Sequence, residues 1–242
     1  MTQRQGFPYI CLLTNRSFSP APFVVNSSIT TPITAARRTR RKEARPAELL
    51  EAATRLFIEK GYAATRVEEV AARANVSKGT LFLYYPSKEA LLKAVVRENI
   101  AGRFAEWQNE LSGFVGTTPD LVRQAFAVWV ERIADSNAGG IYKLMTSECG
   151  NFPELATFYF EEVIKPGNDL VRRILQRGID RGEFRPIDVN AGIHLILTPM
   201  FSYLQWRHSM GMCAPDSMGV SPKAYFEVHV DNLLRGLAAN PI

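Results

Sequence analysis

The sequence predicts an all-α protein of about nine helices, with a three-helix N-terminal helix-turn-helix domain followed by a larger helical domain. Three observations predict it. Apolar residues recur at helical spacing through most of the chain after residue 46, and no alternating strand pattern competes with them. Ser, Thr, Asp and Pro precede the apolar runs, and Gly often follows them, as helix starts and stops require. Two short helical segments flank the tight turn Asn75-Val76-Ser77.

The elements follow in order. Residues 1–36 hold no sustained period, and Ser, Thr, Pro and Asn dominate from Asn15 to Thr34, so this stretch is expected to be a disordered extension. Residues 37–45 form a basic arm. Pro46 suits a first helical turn, after which Leu49, Ala53, Leu56 and Phe57 recur until Gly61. Thr65-Arg66-Val67-Glu68 has the pattern of a capping box and opens a helix over Val67–Ala74. A second short helix runs from Lys78 to Tyr85, and Pro86 ends it. Ser87 caps a long helix whose stripe is Leu92, Val96, Ile100, Phe104, Trp107 and Leu111. Reaching Gly113, it would be roughly 39 Å long at 1.5 Å per residue, enough to join two domains.

Thr118-Pro119 begins a helix with Val122, Phe126, Trp129 and Ile133 on one face. Gly139-Gly140 is expected to break the pattern before a shorter helix ending at Cys149. Asn151-Phe152-Pro153 opens another that ends at Arg181-Gly182, kinked or broken at Pro166. Asp188 caps an apolar helix over Ala191–Trp206 that carries Pro199. Ser221-Pro222 opens the last, with Phe226, Val230, Leu233, Leu234 and Leu237.

Charge is unevenly placed. The chain of 242 residues has a net charge of +5, but residues 1–102 carry +8 and the rest −3. Six of the basic residues lie between Arg37 and Arg45. The first part therefore suits a polyanion and the second a different task. Three cysteines (Cys11, Cys149, Cys213) without a paired spacing argue against a disulfide framework or a zinc site and fit a reducing cytoplasm. No apolar run nears the ~18 residues that span a bilayer, and Tyr9–Leu13 is too short for a signal sequence. No membrane partner, cofactor or metal is expected.

Residues 65–85 carry the functional signal. In a helix-turn-helix the second helix enters the DNA major groove with its N-terminal residues at the base edges. Ser77, Lys78, Gly79 and Thr80 would hold those positions. Tyr84, Tyr85 and Lys88 suit phosphate contacts, as do Thr65 and Arg66 at the start of the first helix and Arg45 in the basic arm.

The run Leu56-Phe57, Gly61-Tyr62, Thr65, Val67, Val70-Ala71, Ala74, Val76-Ser77-Lys78-Gly79-Thr80-Leu81-Phe82, Tyr84-Tyr85, Ser87-Lys88 and Leu91 resembles the TetR family of bacterial repressors. The resemblance implies a three-helix DNA-binding head on residues 46–90 and an effector-binding, dimer-forming body on residues 91–242. It further implies a homodimer made mostly by the last two helices. One departure stands out: Phe82 has no hydroxyl for phosphate, where such proteins often carry Tyr. Leu83 either touches a thymine methyl or packs.

For a small-molecule effector of unknown identity, Trp107, Phe126, Trp129 and Tyr142 are the expected cavity residues. Glu148 is a candidate for a cationic ligand or a surface ion pair. His194 is a candidate ligand contact or an interface histidine. Neither a catalytic triad, a phosphate loop nor a metal-ligand spacing is present in the sequence. The expected function is a ligand-responsive regulator that represses from a pseudo-palindromic operator. A constitutive DNA-binding protein and, last, an enzyme using the helical cavity are the alternatives.

Overall fold

The computed structural model describes residues 33–134, 136–214 and 218–239, with side chains from residue 45 onward. The chain divides into a unit ending at Arg40 and one beginning at Arg41. Of the first, residues 33–40 are described, as helical backbone; the rest of the expected extension lies outside the described residues, as does Cys11.

Eleven α-helical segments follow one another: α1 Ile33–Lys60, α2 Val67–Arg73, α3 Lys78–Tyr84, α4 Lys88–Asn99, α5 Phe104–Gly113, α6 Thr118–Trp129, α7 Asn137–Glu148, α8 Pro153–Tyr159, α9 Lys165–Asp180, α10 Val189–Arg207 and α11 Pro222–Leu237. Wider π turns over Val130–Ala134 and Phe160–Ile164 prolong α6 and join α8 to α9. Counting α4 with α5 and α8 with α9 gives the nine expected rods among the described residues. No strand occurs among them; one isolated antiparallel bridge pairs Phe184 with Ala238.

The local signals explain most helix starts. Ser87, Asp188 and Ser221 each accept hydrogen bonds from the first turn of the helix they precede. The structure departs from the expectations at four places. The basic stretch 37–45 is helical backbone, and Pro46 lies inside α1 rather than at its start. A proline removes one N–H, and the Ala-, Arg-, Lys- and Glu-rich flanks are strong helix formers. The long helix from Ser87 is interrupted at Ile100, where φ −133° and ψ −66° leave the helical region before a 3₁₀ turn at Ala101–Arg103. Gly102, a poor helix former, sits within that turn. Pro166 lies in the first turn of α9, immediately after a π turn that widens the backbone without breaking the rod.

Gly139 and Gly140, the fourth departure, sit inside the first turn of α7. Their task is close approach: a Cβ on Gly140 would lie 2.9 Å from Ile58 of α1, and one on Gly139 2.3 Å from His208. The absent side chains let α7 press on both α1 and the end of α10.

Two apolar clusters form the core. The first joins Leu49, Phe57, Val70 and Leu81 of the helix-turn-helix to Leu91 and Val95 of α4, and on to Ile141, Met145 and Leu155 of α7 and α8. The second is built from α6, α9, α10 and α11 around Phe126, Leu175, Tyr203 and Phe226. The head thus shares its core with one side of the body.

The turn after α9 shows how tightly the second cluster is packed. Phe184 is buried beneath Gly178, whose added Cβ would lie 2.1 Å from the Phe184 ring. Gly178→Ala is expected to cost about 2 kcal/mol, since a buried ring cannot yield as a flexible chain end does. Urea denaturation against the wild type checks this; an unchanged midpoint would contradict it.

Candidate nucleic-acid interface and cavity

The α2–α3 pair is shaped by a short turn. Asn75 takes φ +54°, a left-handed conformation that Asn tolerates, and the Val76 N–H closes the turn on Ala71 O at 2.9 Å. Ser77 caps α3, its Oγ accepting from Thr80 N at 3.1 Å and lying 2.9 Å from Thr80 Oγ1. Val70, Ala71 and Leu81 are buried at the contact between the two helices, so the opposite face of α3 is turned to solvent. That face carries Ser77, Lys78, Gly79, Phe82 and Leu83, with Thr80 and Tyr84 half-buried. Leu83 is 85% exposed and Phe82 37%. Of the two roles left open for Leu83, packing is therefore not met.

Lys78 Nζ lies 2.6 Å from Glu68 Oε1, with both side chains exposed, and the Lys78 ammonium holds the Glu68 carboxyl below its ordinary value. An exposed pair of this kind is weak and exchanges readily for another anion. Lys78 also lies 5.6 Å from the Phe82 ring centre. Arg66 is the exposed residue before α2, and Arg45 is half-buried in α1.

Three expected phosphate contacts are engaged elsewhere. Thr65 is buried and does not cap α2: its Oγ1 donates toward Gly61 O at 2.7 Å and Leu56 O at 3.2 Å, and Arg66 occupies the cap position. The carbonyls at the end of α1 outcompete the capping box. Tyr85 Oη donates to Pro46 O at 3.4 Å, a long bond that ties the end of α3 to α1. Lys88 Nζ donates to Ala63 O at 3.0 Å and Thr65 O at 2.9 Å and lies 4.5 Å from the Tyr62 ring centre. Burial pushes the Lys88 ammonium below its ordinary value, while the nearby Glu148 carboxylate opposes that shift.

Glu148 holds the same turn from the body. Its Oε1 accepts from Tyr62 N at 2.9 Å and Ala63 N at 3.3 Å. The last residue of α7 therefore serves the turn between α1 and α2 and does not line the cavity. Sequence reasoning had no access to this contact, because the partners are 86 residues apart. A second tie joins α4 to the π turn after α8: Arg97 grips Glu162 through Nε at 2.7 Å and through its second guanidinium nitrogen. The Arg97 guanidinium holds the Glu162 carboxyl below its usual range.

Between the two core clusters lies a cavity of about 740 Å³. Trp107, Phe126, Trp129 and Tyr142 line it, together with Phe104, Leu111, Tyr159, Met200 and Phe201. Tyr142 stacks on Phe201, with ring centres 5.0 Å apart and planes within 7°. His194 does not line the cavity; it is exposed on α10. Cys149, Tyr159 and Phe201, not among the residues expected from the sequence, also line the cavity, each at helical spacing on a face that carries core residues. Glu110 and Arg132 are the charged residues among the lining, and they pair with each other at 3.4 Å. Among the described residues there is no cluster able to hold a metal ion, and no helix is long and apolar enough to cross a membrane.

A helix-turn-helix head joined to a helical body around an apolar cavity defines the class of a ligand-responsive DNA-binding regulator. Residues 49–95 match the family profile described as bacterial regulatory proteins, tetR family. Residues 117–211 match the tetracyclin repressor-like C-terminal domain. The chain belongs to the TetR family. The HTH-type transcriptional repressor KstR2 of Rhodococcus jostii is 24% identical over 194 residues, covering 79% of this chain and 92% of that protein. KstR2 of Mycolicibacterium smegmatis is 27% identical over 175 residues, covering 71% and 83%. The crystal structure of Bacillus subtilis FadR in complex with stearoyl-CoA is similar in fold, with a TM-score of 0.66 at 19% identity over 79% of this chain and 98% of that one.

The buried placement of Thr65 separates its role from that of Lys78. Thr65→Ala removes the hydroxyl from two carbonyls at the end of α1 and is expected to cost about 1–2 kcal/mol of folding stability. Urea unfolding measures it. A loss of DNA affinity with unchanged stability would instead return Thr65 to the phosphate contacts.

Proposed function

We propose that the protein is a homodimeric repressor that binds a pseudo-palindromic operator through α3 and leaves it when an apolar effector fills the body cavity. The observation that carries this reading is the outer face of α3, which presents Lys78, Gly79 and Leu83 to solvent on a helix held by a packed three-helix core. A lysine and a bare leucine suit guanine acceptors or phosphate and a thymine methyl. An enzyme has no support in the cavity, whose charged lining residues neutralise one another.

The exposed sides of the last two helices support the dimer. Leu195 of α10 is 57% exposed and Val228 of α11 64% exposed. α10 turns one face to the core through Ile193 and Tyr203 and another to the cavity through Leu197 and Met200. Leu195 projects from a third side. A core-facing side and a cavity-facing side explain most of the apolar character of this helix. Two-fold pairing of the exposed apolar sides would cover Leu195 and Val228 and set two α3 helices in successive major grooves.

The coupling follows from α7 and the break at Ile100. α7 carries Tyr142 on the cavity and Glu148 on the head turn; α4 belongs to the head core, while Phe104, Trp107 and Leu111 of α5 wall the cavity. A ligand that repositions α5 and α7 therefore moves the head through the Ile100 junction and through Glu148. A hundredfold loss of operator affinity needs a ligand preference of about 2.7 kcal/mol for the non-binding arrangement. Stearoyl-CoA in the FadR complex supports an effector with a large apolar body.

Selection from random duplexes is expected to yield a two-fold symmetric site. Lys78→Ala should weaken binding to it about tenfold and, if the lysine meets phosphate, flatten the log–log salt slope by about 0.9. Loss of neither affinity nor slope would contradict the placement of α3. Glu148→Ala should leave the effector's affinity within about twofold while reducing the operator release it causes at least fivefold, roughly 1 kcal/mol of coupling. Fluorescence anisotropy of labelled operator measures both quantities, and full release in this variant would exclude the Glu148 route.

A further inference from the structure

Among the polar groups on the cavity wall, which include Gln124, Thr146 and Asn168, two phenols and a thiol come from α7, its C-terminal cap and the end of α8. Tyr142 lies on α7, Cys149 is the C-cap residue seven positions later, and Tyr159 ends α8; all three line the cavity. Tyr159 is 6% exposed, yet its hydroxyl forms no hydrogen bond with any described residue. The Tyr142 hydroxyl and the Cys149 thiol are likewise without a hydrogen-bonding partner among the described residues. A phenol that faces a cavity without a protein partner is satisfied there by water or by a ligand.

We propose that Tyr159, Tyr142 and Cys149 form a recognition subsite for a neutral carbonyl oxygen on an otherwise apolar effector. The proposal rests on the effector reading of the cavity and adds the chemistry of the molecule's one polar end. Phenols can donate as well as accept; acting as donors, they meet an acceptor on the ligand. Burial pushes the Tyr159 phenol far above its ordinary value, with Tyr142 and Cys149 adding to the shift, so it remains a donor at neutral pH. A free carboxylate is the wrong acceptor here. The cationic lining residue is Arg132, on the α6 extension, already paired with Glu106 and Glu110. An ionised acid at the phenols would be buried without a counter-charge. A ketone, an ester or a thioester meets the requirement equally.

The position of the subsite gives the contact a regulatory consequence. Cys149 faces the cavity and its neighbour Glu148 faces the head turn. A carbonyl anchored at this subsite acts on the end of α7 that holds Tyr62 and Ala63.

The test compares a long-chain methyl ketone with the fatty acid of equal length, using the full chain. Quenching of Trp107 and Trp129, both on the cavity wall, reports binding. The ketone should bind at least tenfold tighter than the acid at neutral pH. Tyr159→Phe should lower ketone affinity about five- to tenfold, the worth of one hydrogen bond. The same variant should leave the melting temperature of the empty protein close to that of the wild type, because no hydrogen bond within the protein is lost. Tighter binding of the acid, or a ketone affinity untouched in both Tyr159→Phe and Tyr142→Phe, overturns the subsite while leaving the effector reading intact. If neither probe binds, the effector reading fails together with the subsite.

Discussion

The turn of residues 61–65 is held from two sides by opposite charges, and the joining of head to body depends on it. Glu148 of the body accepts from its N–H groups, and Lys88 of α4 donates to its carbonyls while lying over the Tyr62 ring. Each group satisfies backbone polarity that the neighbouring helices leave open at their ends. Neither charge is fully exposed, and both meet backbone groups rather than another exposed side chain. Because a continuous apolar cluster runs beside this turn from Leu49 to Val163, the head does not swing freely on a linker. In the proposed coupling, motion at the end of α7 would reach the turn that precedes α2 through the Glu148 contacts.

This arrangement reassigns residues that look alike in the sequence. Lys78 and Lys88 are both lysines near the start of helices in the head. Lys78 is exposed beside an exchangeable partner, whereas Lys88 is drawn inward by two carbonyls and an aromatic face. Tyr85 follows Lys88 into structural service through Pro46 O. The surface proposed to meet DNA is thus narrower and more apolar than a count of polar residues suggests, with Leu83 among its most exposed residues.

Much of the fold was legible because helix signals are local. Ser87, Asp188 and Ser221 cap where their side chains predict, and the buried set Leu49, Leu56, Val70 and Leu81 follows from spacing. The aromatic cavity residues Trp107, Phe126, Trp129 and Tyr142 also lie on helices whose periodicity announced them. What was illegible depends on long-range contacts. Nothing near Thr65 reveals that carbonyls of Leu56 and Gly61 will claim its hydroxyl, nor does α7 reveal that Glu148 will meet Tyr62. Gly139-Gly140 read as a break for the same reason: their role appears only when Ile58 and His208 arrive at van der Waals contact.

Amide hydrogen exchange at Tyr62 and Ala63 tests the central claim most directly. The Tyr62 N–H is held by Glu148, so its protection reports the clasp without reference to DNA sequence. With the cavity filled by an apolar ligand that releases operator DNA, the account predicts faster exchange at these two amides while the buried amides of α1 keep their protection. Release of DNA with protection at Tyr62 and Ala63 unchanged would contradict it.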